Sequence, residues 1–115
     1  VTDNCLFCKI ARKEIPATVV YEDNHVLAFR DINPGAPVHI LVIPRQHIES
    51  MATVEAGQAA LIGHLLTAAA EIARAEKIAE SGYRLVANTG KEGGQSVYHL
   101  HFHLMGGRQM SWPPG

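Results

Sequence analysis

The sequence is short of several things that would narrow its class at once. It has 2 cysteines and 1 tryptophan, and aromatic residues make up 6% of its 115 positions. Two cysteines are too few for the disulfide framework of a small secreted domain, so a reducing, cytoplasmic compartment is expected. Neither charge is in excess, since 10 Lys and Arg against 11 Asp and Glu leave a formal net charge of −1. A nonspecific binder of nucleic acid or of an anionic membrane needs a clear basic surplus, which argues against both partners. No stretch approaches the roughly 20 apolar residues that span a bilayer. The opening Val1-Thr2-Asp3-Asn4 has neither a basic region nor an apolar run, so no signal peptide is expected. Repeats, low-complexity blocks and Ser/Pro linkers are also missing, and residues 1–115 read as one domain.

What the chain does have is a hydrophobic share of 47%, enough for a core without staples, and 7 histidines beside three each of Tyr, Phe and Met. Histidine titrates near neutral pH, ligates metals and serves as acid, base or nucleophile. Composition does not choose among these roles.

Periodicity predicts a short helix over Leu6–Lys13 and strands over Thr18–Tyr21 and His25–Arg30, joined by the turn residues Glu22-Asp23-Asn24. A loop with two prolines and a glycine (31–37) leads to Val38–Ile43, an apolar run expected to be a central strand buried on both faces and closed by Pro44. From Thr53, a candidate cap, to about Ala79, apolar residues recur at three- and four-residue steps. This predicts one long helix stopped by Ser81-Gly82. Tyr83–Asn88 reads as a strand, 89–95 as a Gly-rich loop and Val97–Met105 as the last strand. The sum is an α+β domain on an antiparallel sheet of about five strands.

The last strand alternates strictly. His99, His101 and His103 fall on one face, and Leu100, Phe102 and Leu104 on the other. Three adjacent imidazoles carry several polar nitrogens that need partners, so that face is not ordinary core. Either two of them ligate a catalytic zinc, or the middle one is a nucleophile that its neighbours orient. The loop Gly90-Lys91-Glu92-Gly93-Gly94-Gln95-Ser96 favours the second, because its glycines let backbone N–H groups close on an anion. An anion cradle beside a histidine suggests phosphorus chemistry.

His99-Leu100-His101-Phe102-His103-Leu104-Met105 resembles the signature of the histidine triad (HIT) superfamily. The resemblance runs from about Phe7 to Gly115, through Asp31-Ile32-Asn33-Pro34, the stretch 37–47 and Gly93-Gly94-Gln95-Ser96-Val97-Tyr98. The ending Gly106–Gly115 resembles the nucleotide-binding (HINT) branch. That resemblance implies a HIT-like fold with one long and one short helix, and a homodimer with a ten-stranded sheet. The tail 106–115 would reach toward the partner. It also implies a purine nucleoside phosphoramidase that cleaves the P–N bond of adenosine 5′-monophosphoramidates through a nucleotidyl-histidine. Carried over by position, His101 is the nucleophile, His39 and His103 flank it, and Ser96 lies near the leaving amine, where a relay with His103 would protonate it. Phe7, Ile10, Phe29 and Ile32 surround the base and Asp31 meets the ribose hydroxyls. Asn88, Gly94, Ser96, Val97, His101 and His103 contact phosphate or ribose, and Trp112 belongs to the partner's site.

The Cys5-x-x-Cys8 pair suggests a metal or redox function, and no thioredoxin-like context supports the latter. In HIT relatives that carry the pair it binds zinc with two histidines, here His47 and His99. A Cys₂His₂ set is a closed, structural site, so catalysis would require no metal. Other readings of the chain are a non-catalytic nucleotide-binding module, a dinucleoside polyphosphate hydrolase and a zinc hydrolase using the triad as ligands. His25 and His64 receive no role.

Overall fold

The structure is a computed structural model and describes residues 2–115; Val1, where the N-terminal reading begins, lies outside them. Five antiparallel strands, β1 (Val19–Glu22), β2 (Val26–Arg30), β3 (Val38–Pro44), β4 (Tyr83–Val86) and β5 (Phe102–Gly106), form one sheet in the order β1-β2-β3-β5-β4. The two helices are α1 (Leu6–Ala11) and α2 (Ala59–Ala75).

β3 is the central strand and is buried on both faces, as its apolar run implies. Ile40 and Val42 face α2 together with Val26, Ala28, Leu100, Phe102 and Leu104, where they meet Leu65, Ala68, Ala69 and Ile72. Leu41 and Ile43 face the other way, with Leu27 and Phe29, onto Phe7, Ile10 and Ala11. The sheet is thus a wall between a helix-side core and a second cluster under α1. The site lies on the α1 side.

Three helix boundaries differ from the sequence expectation, and several strand ends shift by one or two residues, as where β4 stops at Val86 instead of Asn88. The long helix begins at Ala59 instead of Thr53, because two 3-10 turns precede it. Ser50 caps the first of these, with Thr53 as its reciprocal partner, so Thr53 belongs to another cap. The helix ends at Ala75 instead of Ala79. Lys77 takes the left-handed conformation at φ 63°, Ile78 N–H reaches the Ala73 carbonyl at 3.0 Å and Lys77 N–H the Arg74 carbonyl at 3.1 Å. That is a Schellman motif with lysine at the position glycine usually holds. The short helix ends before Lys13 in the same way, with Lys13 at φ 65° and Glu14 N–H on the Lys9 carbonyl.

The last strand begins at Phe102, not Val97. Pairing with β3 starts at Val42 and Phe102, so residues 97–101 lie off the ladder. The Leu100 N–H instead donates to the Ile48 carbonyl at 2.6 Å. Sidedness survives the change: Leu100 joins the helix-side core, while His99 and His101 pack edge-on to Phe7 beneath α1.

Candidate active site and metal cluster

Two of the site histidines owe their meeting to register. His39 pairs with Met105 and Leu41 with His103, so His39 and His103 are diagonal neighbours on one face of the β3–β5 ladder. Their nitrogens, His39 Nε2 and His103 Nδ1, are 2.9 Å apart. The Gly35 N–H donates to His39 Nδ1 at 2.9 Å, which leaves that nitrogen without a proton. His39 then holds its proton on Nε2 and donates it to His103 Nδ1, so His103 presents Nε2–H outward. A backbone amide thereby sets the tautomers of both rings.

His101 is fixed independently. Its Nδ1–H donates to the His99 carbonyl at 2.7 Å, leaving the Nε2 lone pair free. The ring is 5% exposed and stands edge-on to Phe7, with centroids 5.0 Å apart. Burial holds its pKa below the ordinary value. Burial, reinforced by the neighbouring His101 and His39, brings His103 down to about 4. Both rings are therefore neutral near pH 7. The His101 tautomer is set by the backbone, His103 Nδ1 is partnered by His39, and no hydrogen bond joins Ser96 to His103 among the described residues.

These groups open on a cleft of about 350 Å³. Phe7, Ile10, Phe29, Asp31 and Ile32 line it together with Ser96, Val97, His101 and His103, which brings nine of the sequence-chosen residues into one cavity. Asp31 is half-buried; its Oδ1 accepts the Asn33 N–H at 2.8 Å, and its Oδ2 lies 3.4 Å from His39 Nε2. Ile32 is 91% exposed and forms the lip. Asn88 lines a second cleft on the far side of His103 and donates to the Gly93 carbonyl at 2.7 Å. Gly94 lines neither cleft and adopts φ +80° in the loop. Trp112, 82% exposed, lines neither.

Behind His101, four side chains from three segments converge. Cys5 caps α1 and Cys8 lies within it, His47 follows β3, and His99 precedes β5. Their ligand atoms all lie within 4.8 Å of one another. Sulfur-to-nitrogen distances are 3.3 Å (Cys5–His99), 3.4 Å (Cys8–His47) and 3.5 Å (Cys8–His99). Bonds of about 2.3 Å to sulfur and about 2.0 Å to nitrogen at tetrahedral angles give edges of about 3.5 Å, so the set fits a tetrahedral ion. His99 Nε2–H donates to the Pro44 carbonyl at 2.8 Å, which directs Nδ1 at the sulfurs. Burial, with help from Cys5, pushes the Cys8 thiol up to about 11, so near pH 7 it stays protonated unless a bound cation displaces the proton to solvent. Asp31, His39 and His103 also cluster within that distance, but there the ring centroids are 5.2 Å apart. That is about as far as two imidazoles joined nitrogen to nitrogen can be. Their nitrogens face one another across a shared proton and do not converge on an ion.

A profile of the HIT domain matches residues 12–110. The chain belongs to the HIT family. An HIT-like protein of Synechococcus elongatus is 56% identical over 115 residues, covering all of both chains. A 14 kDa zinc-binding protein of Zea mays is 55% identical over 112 residues, covering 96% of this chain and 87% of its own. Among solved structures, a HIT family hydrolase from Legionella pneumophila superposes with a TM-score of 0.96 at 57% identity, covering 97% of this HIT chain and 100% of its own.

Sequence reasoning missed Gly35, whose amide begins the hydrogen-bonded series, and Arg108, which clamps the Gly35 carbonyl with Nε at 3.0 Å and Nη2 at 2.9 Å. The Pro-Gly signal in the 31–37 loop marks a turn but says nothing of what its amide meets. Gln95 was also missed. Buried, it accepts from the Gly90 N–H and donates to the Glu49 and Val97 carbonyls, pinning the loop that carries Ser96. His64, given no role, binds Asp23 at 2.6 Å and joins α2 to the β1–β2 turn.

Proposed function

We propose that this HIT domain is a homodimeric hydrolase of purine nucleoside 5′-monophosphoramidates, working through a nucleotidyl intermediate on His101 and carrying a structural zinc. The observation that carries the reading is the committed tautomer of His101: with Nδ1–H held by the His99 carbonyl, the Nε2 lone pair is available inside a cleft that also holds a carboxylate and apolar walls. A module that only bound nucleotide would need no such nucleophile.

In the proposed reaction the base lies among Phe7, Ile10, Phe29 and Ile32, and Asp31 accepts from the ribose diol. His101 Nε2 attacks phosphorus, forming a new P–N bond as the substrate's own P–N bond breaks, its electron pair leaving with the amine. His103 is neutral and cannot serve as a strong acid, so its Nε2–H supports the phosphoryl oxygens as they gather charge. Ser96 is exposed on the cleft and can pass a proton from water to the departing nitrogen. The hydroxide left by that transfer attacks the nucleotidyl-histidine, freeing the nucleoside monophosphate and restoring His101.

Zinc at Cys5, Cys8, His47 and His99 would tie α1 to the sheet and supply no Lewis-acid chemistry, because four protein ligands leave no open position. Support comes from the tetrahedral spacing and the zinc-binding relative. Dimerisation is supported by β4, which ends the sheet with an unpaired edge beside a half-exposed Tyr83. Two such edges would join five strands to five, and the exposed Trp112 would meet the partner. The test is turnover of AMP-linked amines by wild type and His101→Asn. Turnover lost in the variant is expected; an inert wild type or a fully active variant refutes the mechanism.

A further inference from the structure

Residues 89–97, which carry Ser96 into the apolar cleft, run between β4 and β5 outside the ladder. Turn bonds fold the segment on itself: the Gly94 N–H meets the Lys91 carbonyl at 3.1 Å and the Gln95 N–H the Gly90 carbonyl at 3.0 Å. Among the described residues, one hydrogen bond ties it to a distant part of the chain. Gln95 Nε2 donates to the Glu49 carbonyl, 46 positions away, at 2.8 Å.

The same buried amide uses its remaining groups locally. Its other N–H donates to the Val97 carbonyl at 3.1 Å, and its Oε1 accepts the Gly90 N–H at 2.9 Å. A flipped amide would set its oxygen against two carbonyls, so the orientation is fixed. The bond from residue 95 to the carbonyl of residue 97 closes a turn with Ser96 at its apex. The Ser96 hydroxyl has no protein partner among the described residues, so the peptides on either side decide where it points. The nucleophile hangs from the same support. The Ile48 carbonyl accepts the Leu100 N–H at 2.6 Å, next to the His99 carbonyl that holds His101 Nδ1–H. Adjacent carbonyls of one segment, Ile48 and Glu49, thus fix the spacing of His101 and Ser96. A proton donor must stand within hydrogen-bond reach of the nitrogen it serves, and a displacement of about 1 Å can cost about 10²-fold.

We propose that Gln95 is a positioning residue for leaving-group protonation: through its bonds to the Glu49 and Val97 carbonyls it holds Ser96 Oγ at the departing nitrogen while His101 attacks. The proposal rests on the phosphoramidase reading and deepens its protonation step. Gln95 itself exchanges no bond in the reaction. The amine nitrogen keeps the electron pair of the breaking P–N bond and takes the Ser96 proton, and Ser96 regains a proton from water.

The experiment uses two AMP conjugates, one joined through nitrogen to benzylamine and one through oxygen to p-nitrophenol. Both give the same nucleotidyl-histidine, but p-nitrophenolate leaves as a stable anion and needs no proton. Ser96→Ala is expected to lower kcat/KM for the amine conjugate by about 10²-fold while changing the ester little. Gln95→Met fills a similar volume without the amide, and should cost the amine conjugate about tenfold or more, again sparing the ester. Gln95→Asn, whose amide is too short to reach both carbonyls, should show the same selectivity. In the Ser96→Ala background Gln95→Met should cost little more, because the hydroxyl it positions is already gone. Ester turnover in the same preparation shows that each variant is folded. Equal losses on both conjugates, or a second full loss in Ser96→Ala, mark a merely structural glutamine and overturn the proposal while leaving the phosphoramidase reading intact. A Ser96→Ala enzyme that ignores the leaving group does the same. If wild type hydrolyses only the amine conjugate, the double-mutant cycle on that conjugate decides. A wild type inert toward the amine conjugate overturns both.

Discussion

Removing the metal from the Cys5–Cys8–His47–His99 cluster separates its proposed structural role from a catalytic one. The four ligands belong to α1, the segment after β3 and the segment before β5, and no hydrogen-bonded ladder joins α1 to the sheet. An ion that binds only the folded chain stabilises it by mass action, about 4 kcal/mol when free zinc stands a thousandfold above its dissociation constant. For 115 residues the entropy of unfolding is roughly 240 cal/mol/K, so that loss lowers the melting temperature by on the order of 15 °C. Calorimetry with and without a strong chelator, and on Cys8→Ser, measures the shift, while metal analysis gives the zinc content. Below the lowered transition most turnover should persist, because the His99 ring also keeps its bond to the Pro44 carbonyl and the His99 backbone still holds His101. A melting temperature that ignores chelator, in protein purified without one and found free of zinc, refutes the structural ion. Activity abolished while the chain stays folded refutes the division of labour and favours a catalytic metal.

Other consequences concern the apolar cleft and pH. Phe7→Ala removes a ring that is 4% exposed and packs on both Phe29 and His101. It should cost about 3–5 kcal/mol in denaturant unfolding and raise KM for the nucleotide. Asp31→Asn should shrink the preference for ribose over 2′-deoxyribose substrates, read as a ratio of kcat/KM values; an unchanged ratio would remove Asp31 from the sugar. Because burial lowers the His101 pKa, the acid limb of kcat/KM should have its midpoint below the ordinary histidine value of about 6.5; a midpoint at or above that value contradicts a buried nucleophile. His103 binds its proton near 4 when folded and near 6.5 when unfolded, so the unfolded chain takes up the proton first as pH drops. Its contribution is intact above about pH 6.5 and is lost between there and 4, by up to about 1.4 kcal/mol per pH unit, a slope that unfolding titrations can measure.

Period and composition made much of this legible. The alternation from His99 to Met105 assigned two faces correctly even where the ladder does not extend, because the segment keeps its sidedness by binding the Ile48 carbonyl. The apolar run of β3 identified the central strand. Helix ends were less legible, since both Schellman turns place lysine where glycine is the usual signal. Thr53 looked like the cap of the long helix but caps a separate turn. At the site, residue types pointed to His101, His103 and Ser96, and the family resemblance to six further side chains of the apolar cleft, Phe7, Ile10, Phe29, Asp31, Ile32 and Val97. They could not reveal the tautomers, which depend on one backbone amide at Gly35 and one carbonyl at His99.

The central claim is that phosphorus passes through a bond to His101. The stereochemical course at phosphorus tests it most directly, using a substrate made chiral by sulfur and hydrolysed in isotopically labelled water. Two successive in-line displacements, the first by His101 and the second by water, predict overall retention of configuration. Inversion would mean that water attacks the substrate directly, and it would contradict the nucleotidyl-histidine.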